Sequence, residues 1–188
     1  MGTALACAVA TRTAGLADGR DVAIRGATTT DLAGIMDFFE RLSAPSRYMR
    51  FFSPQPRLRR TLIERVVAPG ADRATLLAQP EEFRTTARRV VAVAGWIHLP
   101  KDDRCDVSIA VADAWQGALL GTYLVLALLQ HAVSCGHWRF TADVLGGNAR
   151  MLGLLRDLGA PLRTTHEAGV VRLDFELEDP GAPARSQT

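Results

Sequence analysis

The segment WQGALLGTYL, residues 115–124, carries the residue types and spacing that most clearly suggest chemistry. Gly117 and Gly121 flank a short stretch between an apolar run and a long apolar helix pattern. A strand that ends in a glycine-containing turn and opens a helix makes an anion site. Its backbone N–H groups point outward, and the helix dipole favours negative charge. The turn contains no proline, so every position keeps its N–H donor. A plain strand-to-helix turn is the alternative for the same string.

The preceding run adds a second feature. Cys105, Val107, Ile109 and Val111 alternate with Asp106, Ser108 and Ala110. The first set is expected to face a core. The second set is small and polar and would leave room for a ligand. Metal chemistry has no such support. Cys7, Cys105 and Cys135 contain no CxxC pair, and His98, His131, His137 and His166 show no ligand spacing. Buried apolar cysteines in a reducing cytoplasm fit this usage.

These residues must be positioned by elements whose pattern is readable along the chain. DVAIRGA (21–27) reads as a first strand, and residues 28–43 as a helix with Leu32, Ile35, Met36, Phe39 and Leu42 on one face. Residues 46–52 and 57–67 read as further helices, separated by Pro54 and Pro56. Residues 74–79, 90–100 and 105–112 read as strands, with a charged loop at 80–89. A helix over about 120–134 ends near Gly136; a strand follows at 137–145, then a helix at 148–159 stopped by Gly159 and Pro161. Residues 162–177 form a hairpin with Val171, Leu173, Phe175 and Leu177 on one face. This order is that of a single mixed α/β domain.

The chain has 188 residues, enough for one domain with a proper core, and a net charge of +2. That balance offers no bulk attraction to nucleic acid or to an anionic membrane. ALACAVA (4–10) has the apolar character of a signal segment, but no Lys or Arg precedes it. Residues 1–20 are therefore expected to be a disordered leader, 21–178 the domain, and 179–188 a frayed tail.

Three strings resemble the GNAT superfamily of acyl-coenzyme A-dependent N-acetyltransferases, over about Val22 to Leu177. FFERLSAPSRYMRFF (38–52) is similar to the early helices of bacterial protein-lysine acetyltransferases and of the acetyltransferase domain of acyl-CoA synthetases. VADAWQGALLGTYL (111–124) resembles the family's cofactor motif, and VLGGNARMLGLLRDLGA (144–160) its late strand, loop and helix. The resemblance implies a mixed, mostly antiparallel sheet flanked by helices.

It also implies a site. The pyrophosphate of acetyl-coenzyme A would sit on Gln116, Gly117, Ala118, Leu119, Leu120, Gly121 and Thr122. The pantetheine arm would pair with the strand carrying Val107, Ile109 and Val111. Asn148 matches the family asparagine that touches the cofactor, and is equally a good helix N-cap. Asp106 falls where related enzymes place a catalytic glutamate, and becomes the candidate general base; a solvated surface charge is the other reading. Leu119 departs from the usual glycine, at a cost of roughly 1–2 kcal/mol if the position is left-handed. Leu155 replaces a tyrosine that often serves as acid, and Tyr123 is expected to pack in the core. Arg47, Tyr48 and Arg50 would lie near the substrate entrance, or form a solvated basic face. Cys105 points away from Asp106, which argues against an acyl-cysteine route.

The implied function is acetyl-coenzyme A-dependent transfer to an amine, either a protein lysine or a small molecule, in the cytoplasm, without metal, nucleic acid or membrane. The final hairpin suggests a homodimer. The alternative is a non-catalytic acyl-coenzyme A-binding or regulatory module on the same fold.

Overall fold

The computed structural model describes residues 9–53, 60–68, 70–83 and 89–178. The expected leader up to residue 8, the tail from 179, Cys7, Pro54 and Pro56, and parts of the expected 57–67 helix and 80–89 loop lie outside the described residues. Eight strands form one sheet: β1 Arg12–Gly15, β2 Asp21–Gly26, β3 Arg73–Pro80, β4 Ala92–Leu99, β5 Arg104–Val111, β6 Arg139–Leu145, β7 Leu162–Glu167 and β8 Val170–Glu176. Their spatial order is β1-β2-β3-β4-β5-β6-β8-β7. Every pairing is antiparallel except β5 with β6. Helices α1 Leu32–Arg41, α2 Ala44–Phe51, α3 Arg60–Val67, α4 Leu120–Ser134 and α5 Ala149–Arg156 complete it.

Helices cover both faces of the sheet, which explains why β3 and β4 read as continuous apolar runs rather than alternating ones. On one face Leu77, Val93 and Ala110 meet Leu32, Ile35, Phe38 and Phe39 of α1 and Ile63 and Val67 of α3. On the other, Leu76, Ala94 and Trp96 meet Leu120, Leu124 and Leu128 of α4 and Leu155 of α5. α1 starts where Asp31 accepts from Thr28 N–H at 2.9 Å and takes the two arms of Arg25 at 2.7 and 2.8 Å.

Several expectations need correction. Arg12–Gly15 is a strand paired with Asp21–Ile24, not part of a disordered leader, because its backbone completes the edge of β2. Ala110 packs against the α1–α3 layer and, as its small size suggested, also lines the open space beside Ile109 and Val111. Tyr123 is 38% exposed instead of packing in the core, because the buried stripe of α4 runs through Leu120, Leu124 and Leu128. The apolar hairpin face that suggested dimerisation, Val171, Leu173 and Phe175, is buried in the chain's own core.

Candidate active site

β5 and β6 pair at only two rungs, Cys105 with Phe140 and Asp106 with Thr141. Beyond Asp106 the strands part, leaving a wedge between Val107–Ile109 and Ala142–Val144. A cavity of about 60 Å³ lies there, floored by Val125, Leu128, Leu129 and Leu155. It adjoins a groove of about 470 Å³ along Ile109–Val111, the 116–122 turn and the start of α5.

The turn is built with two left-handed residues. Gly117 has φ +81°, and Leu119, the N-cap of α4, has φ +68° and ψ +1°. Leu119 thus adopts left-handed dihedrals that favour glycine, and its 53% exposed side chain stands at the groove. Tyr123 N–H is bonded to Leu119 C=O at 3.1 Å, so the N–H groups of Leu120, Gly121 and Thr122 fall outside the α4 ladder. Gly121 is needed for packing: a Cβ there would meet Leu154 Cδ1 at 3.3 Å.

Neighbouring segments hold the turn from several sides. Asp113 accepts from Ser43 N–H at 3.0 Å, Ser43 Oγ at 2.6 Å and Ser46 Oγ at 2.7 Å, tying the start of α2 to it. Gln116 donates to Val111 C=O at 3.0 Å and accepts from Arg150 at 3.1 Å. Arg20, in the β1–β2 turn, lies 3.8 Å over the Trp115 ring and donates to Ala114 C=O. Such over-determination is what a left-handed leucine requires.

The structure brings most of the expected cofactor residues together. Ile109, Val111, Gln116, Gly117, Leu119, Gly121, Thr122 and Asn148 line the groove, and Val107 lines the wedge. Ala118 and Leu120 do not; their side chains are buried in the core, and the Ala118 C=O accepts from Ala17 N–H. Asn148 caps α5 by accepting from Met151 N–H at 3.2 Å while still lining the groove. Sequence reasoning missed Ser46, Met49, Arg150 and Met151 as lining residues. Arg150 and Met151 belong to the NARM string, whose helical register after Asn148 was the available signal.

Asp106 lies on the far side of the last rung from the groove. It borders a separate polar cavity with Arg104, Thr141, Asp143, Arg172 and Asp174. Loss of water around its carboxylate and the nearby charge of Asp143 push its pKa upward, while Arg50 and Arg172 pull it down. Arg50 does not sit on a solvated face. It turns inward, donates to Ser108 Oγ at 3.0 Å and lines both groove and wedge. Tyr48 is exposed, and Arg47 donates to Glu40 C=O. Burial first, then Asp103, Cys135 and Asp106, push the Cys105 thiol up to about 12.

Similarity to solved structures identifies the fold of this frame. The GNAT domain of Streptomyces lividans PAT superposes with a TM-score of 0.79 at 29% identity, covering 89% of this chain and 97% of that one. The fold is that of the GNAT acetyltransferases. A GNAT-family acetyltransferase from Streptococcus pneumoniae matches at TM-score 0.66 and 19% identity, over 83% and 99% of the two chains. The protein yncA from Salmonella typhimurium, solved with acetyl-CoA, matches at 0.66 and 17%, over 86% and 97%. No family model and no curated protein matches the sequence.

The wedge lies where the parallel pair of this chain opens. Among the described residues, no group of three or more His, Cys, Asp or Glu could hold a metal. His131 and His137 make ring contacts with Trp96, and His98 makes one with His137. No helix of the described residues is long and apolar enough to cross a membrane.

Proposed function

We propose that the protein is an acetyl-coenzyme A-dependent N-acetyltransferase that transfers acetyl from the thioester to an amine by direct attack, with Asp106 as general base. The observation that carries this reading is spatial. The anion-binding turn, the groove and the wedge form one continuous path, and Asp106 lies at the rung where the wedge begins. The residues fit the co-substrate. Unladdered N–H groups and Arg150 suit a pyrophosphate, and the open edge of β5 suits an amide-bearing arm.

A lysine amine, with pKa about 10.4, is almost wholly protonated at neutral pH. A carboxylate whose pKa is raised is better matched to take that proton, directly or through water. Asp106 is one methylene shorter than glutamate, which favours a bridging water. Leu155 is buried against the wedge and offers no acid, so the thiolate leaves unassisted by a side chain there.

The acceptor is a protein lysine or a small amine, in a reducing cytoplasm that suits the free thiols of Cys105 and Cys135. A homodimer belongs to the same proposal, now through β7, the exposed outer edge of the sheet. Calorimetry with acetyl-coenzyme A, followed by thiol release with amine acceptors, tests the function. Binding without any turnover supports the non-catalytic module, which Leu119 and Leu155 favour. Absence of binding at millimolar ligand removes both.

A further inference from the structure

We propose that Arg50 is a catalytic residue: its guanidinium hydrogen-bonds the thioester carbonyl oxygen and stabilises the negative charge that grows there during attack. This inference rests on the acetyltransferase reading above.

The first observation is how little Arg50 is used by the protein itself. Arginine has five N–H donors. Among the described residues, Arg50 makes one hydrogen bond, to the neutral hydroxyl of Ser108, lies 5.0 Å over the Phe51 ring, and makes no ion pair. Arg25 and Arg172 show the contrast, each gripping a carboxylate with two nitrogens. Yet Arg50 is half-buried. Loss of water pulls its pKa below the usual arginine range, with Asp106 opposing. A desolvated cation without an anionic partner is unfavourable. An oxygen that acquires negative charge would satisfy the unused donors.

The second observation is position. Arg50 is a wall of both the groove and the wedge, so it stands at their junction. An arm anchored by its phosphates at the turn and running along β5 brings its reactive end to this junction. Ser108, which holds Arg50, is two residues from Asp106 on the same face of β5. Asp106 borders the polar cavity that shares Asp143 with the wedge lined by Arg50, so the base and the cation occupy adjoining spaces.

The third observation is rigidity. The Asp113 clamp on Ser43 and Ser46 fixes the first turn of α2, and Phe51 stacks edge-on to Phe39 at 5.1 Å. Arg50 is thus delivered by an anchored helix, as a preorganised donor must be.

The step balances. The amine nitrogen attacks the carbonyl carbon, and the C=O π pair moves onto oxygen, facing Arg50. Asp106 takes the amine proton. The carbonyl re-forms, the C–S bond breaks and its electron pair leaves on sulfur, which is protonated by the Asp106 carboxyl or by solvent. Arg50 neither gains nor loses a proton. A latch that only holds α2 to β5 would show the same Ser108 contact, so the test must read the carbonyl itself.

Acetyl-coenzyme A carrying ¹³C at the thioester carbonyl is bound to the full chain, and its stretch is read by infrared difference spectroscopy. The wild type should lower the stretch relative to free ligand. Arg50→Met should return it toward the free value while coenzyme A affinity stays within about threefold, and Arg50→Lys should fall between. If Arg50→Met does not fold, Arg50→Lys carries the test, because the loss of the guanidinium must still move the band. A stretch unshifted in the wild type, or equally shifted in the variant, overturns the role of Arg50 alone. No binding of acetyl-coenzyme A to the wild type overturns the acetyltransferase reading, and this inference with it.

Discussion

Asp106 faces Thr141 across the last rung of the parallel pair, and no rung joins β5 to β6 beyond it. The candidate base therefore stands where the sheet stops being continuous.

Asp106→Asn should lower turnover by about 100-fold or more while leaving acetyl-coenzyme A affinity unchanged, the pattern of a group that acts in the transition state. The base must be ionised to work. Its pKa is raised, so kcat/KM should fall as pH drops through a value above the ordinary carboxylate range of about 3.9. Asp143→Asn removes a repelling charge and releases Arg172, so the acid limb should move to lower pH. A limb that stays in place would detach Asp106 from the reaction.

Leu119 already has left-handed dihedrals, so Leu119→Gly relieves roughly 1–2 kcal/mol of strain against an entropic cost of about 0.5–1. Melting should shift little or upward. Coenzyme A affinity should change by less than tenfold, or about 1.4 kcal/mol. Leu119→Pro, which cannot adopt this φ and lacks the N–H, should abolish binding. Retained binding in the proline variant would show that the turn is not the phosphate site.

The turn, and most of the groove built around it, were legible because they are local. Glycine spacing, the end of one apolar run and the start of another fix the strand–turn–helix, and the NARM string fixes Asn148. What the sequence hid is long-range. Nothing near Arg50 says that it points inward, because Ser108 lies 58 residues away. Nothing near Arg12 says that β2 needs an edge partner. Ala118 and Leu120 could not be told from their neighbours, because backbone and side chain of one turn face opposite ways. The ring chain His98–His137–Trp96–His131 joins β4, the segment before β6 and α4, which no spacing rule links.

Asp31 should govern acid stability. Burial alone raises its pKa, but Arg25 and Thr28 overcome this and hold it at about 2. The folded value lies below the unfolded one, so the stabilisation is complete above about pH 4 and is lost as pH falls toward 2. It is worth about 2 kcal/mol. Denaturant midpoints measured across that window should decline in the wild type and flatten in Asp31→Asn. Parallel declines would place the acid sensitivity elsewhere.

Arg150→Ala should weaken acetyl-coenzyme A binding by about tenfold at low salt and make the affinity less salt-dependent, since an exposed cation acts through a screened field. It should also free Gln116, whose amide then depends on Val111 and Ser46 alone. Isothermal titration at two ionic strengths reads both effects; equal affinities for the two proteins would remove Arg150 from the site.

Cys105 should resist alkylation at neutral pH, because burial keeps its thiol protonated to about pH 12. Mass-resolved labelling that modified Cys105 first in the native protein would contradict this.

The indole of Trp115 stands one residue before Gln116, beneath the guanidinium of Arg20. Trp96, by contrast, is sealed in the core at 1% exposure. Indole emission follows local polarity and nearby charge. A polyanion settling on the turn must alter both around Trp115 and neither around Trp96. Trp115 thus serves as an optical gauge of occupancy, read over the constant emission of Trp96 and of Trp138 ahead of β6, and needs no attached dye.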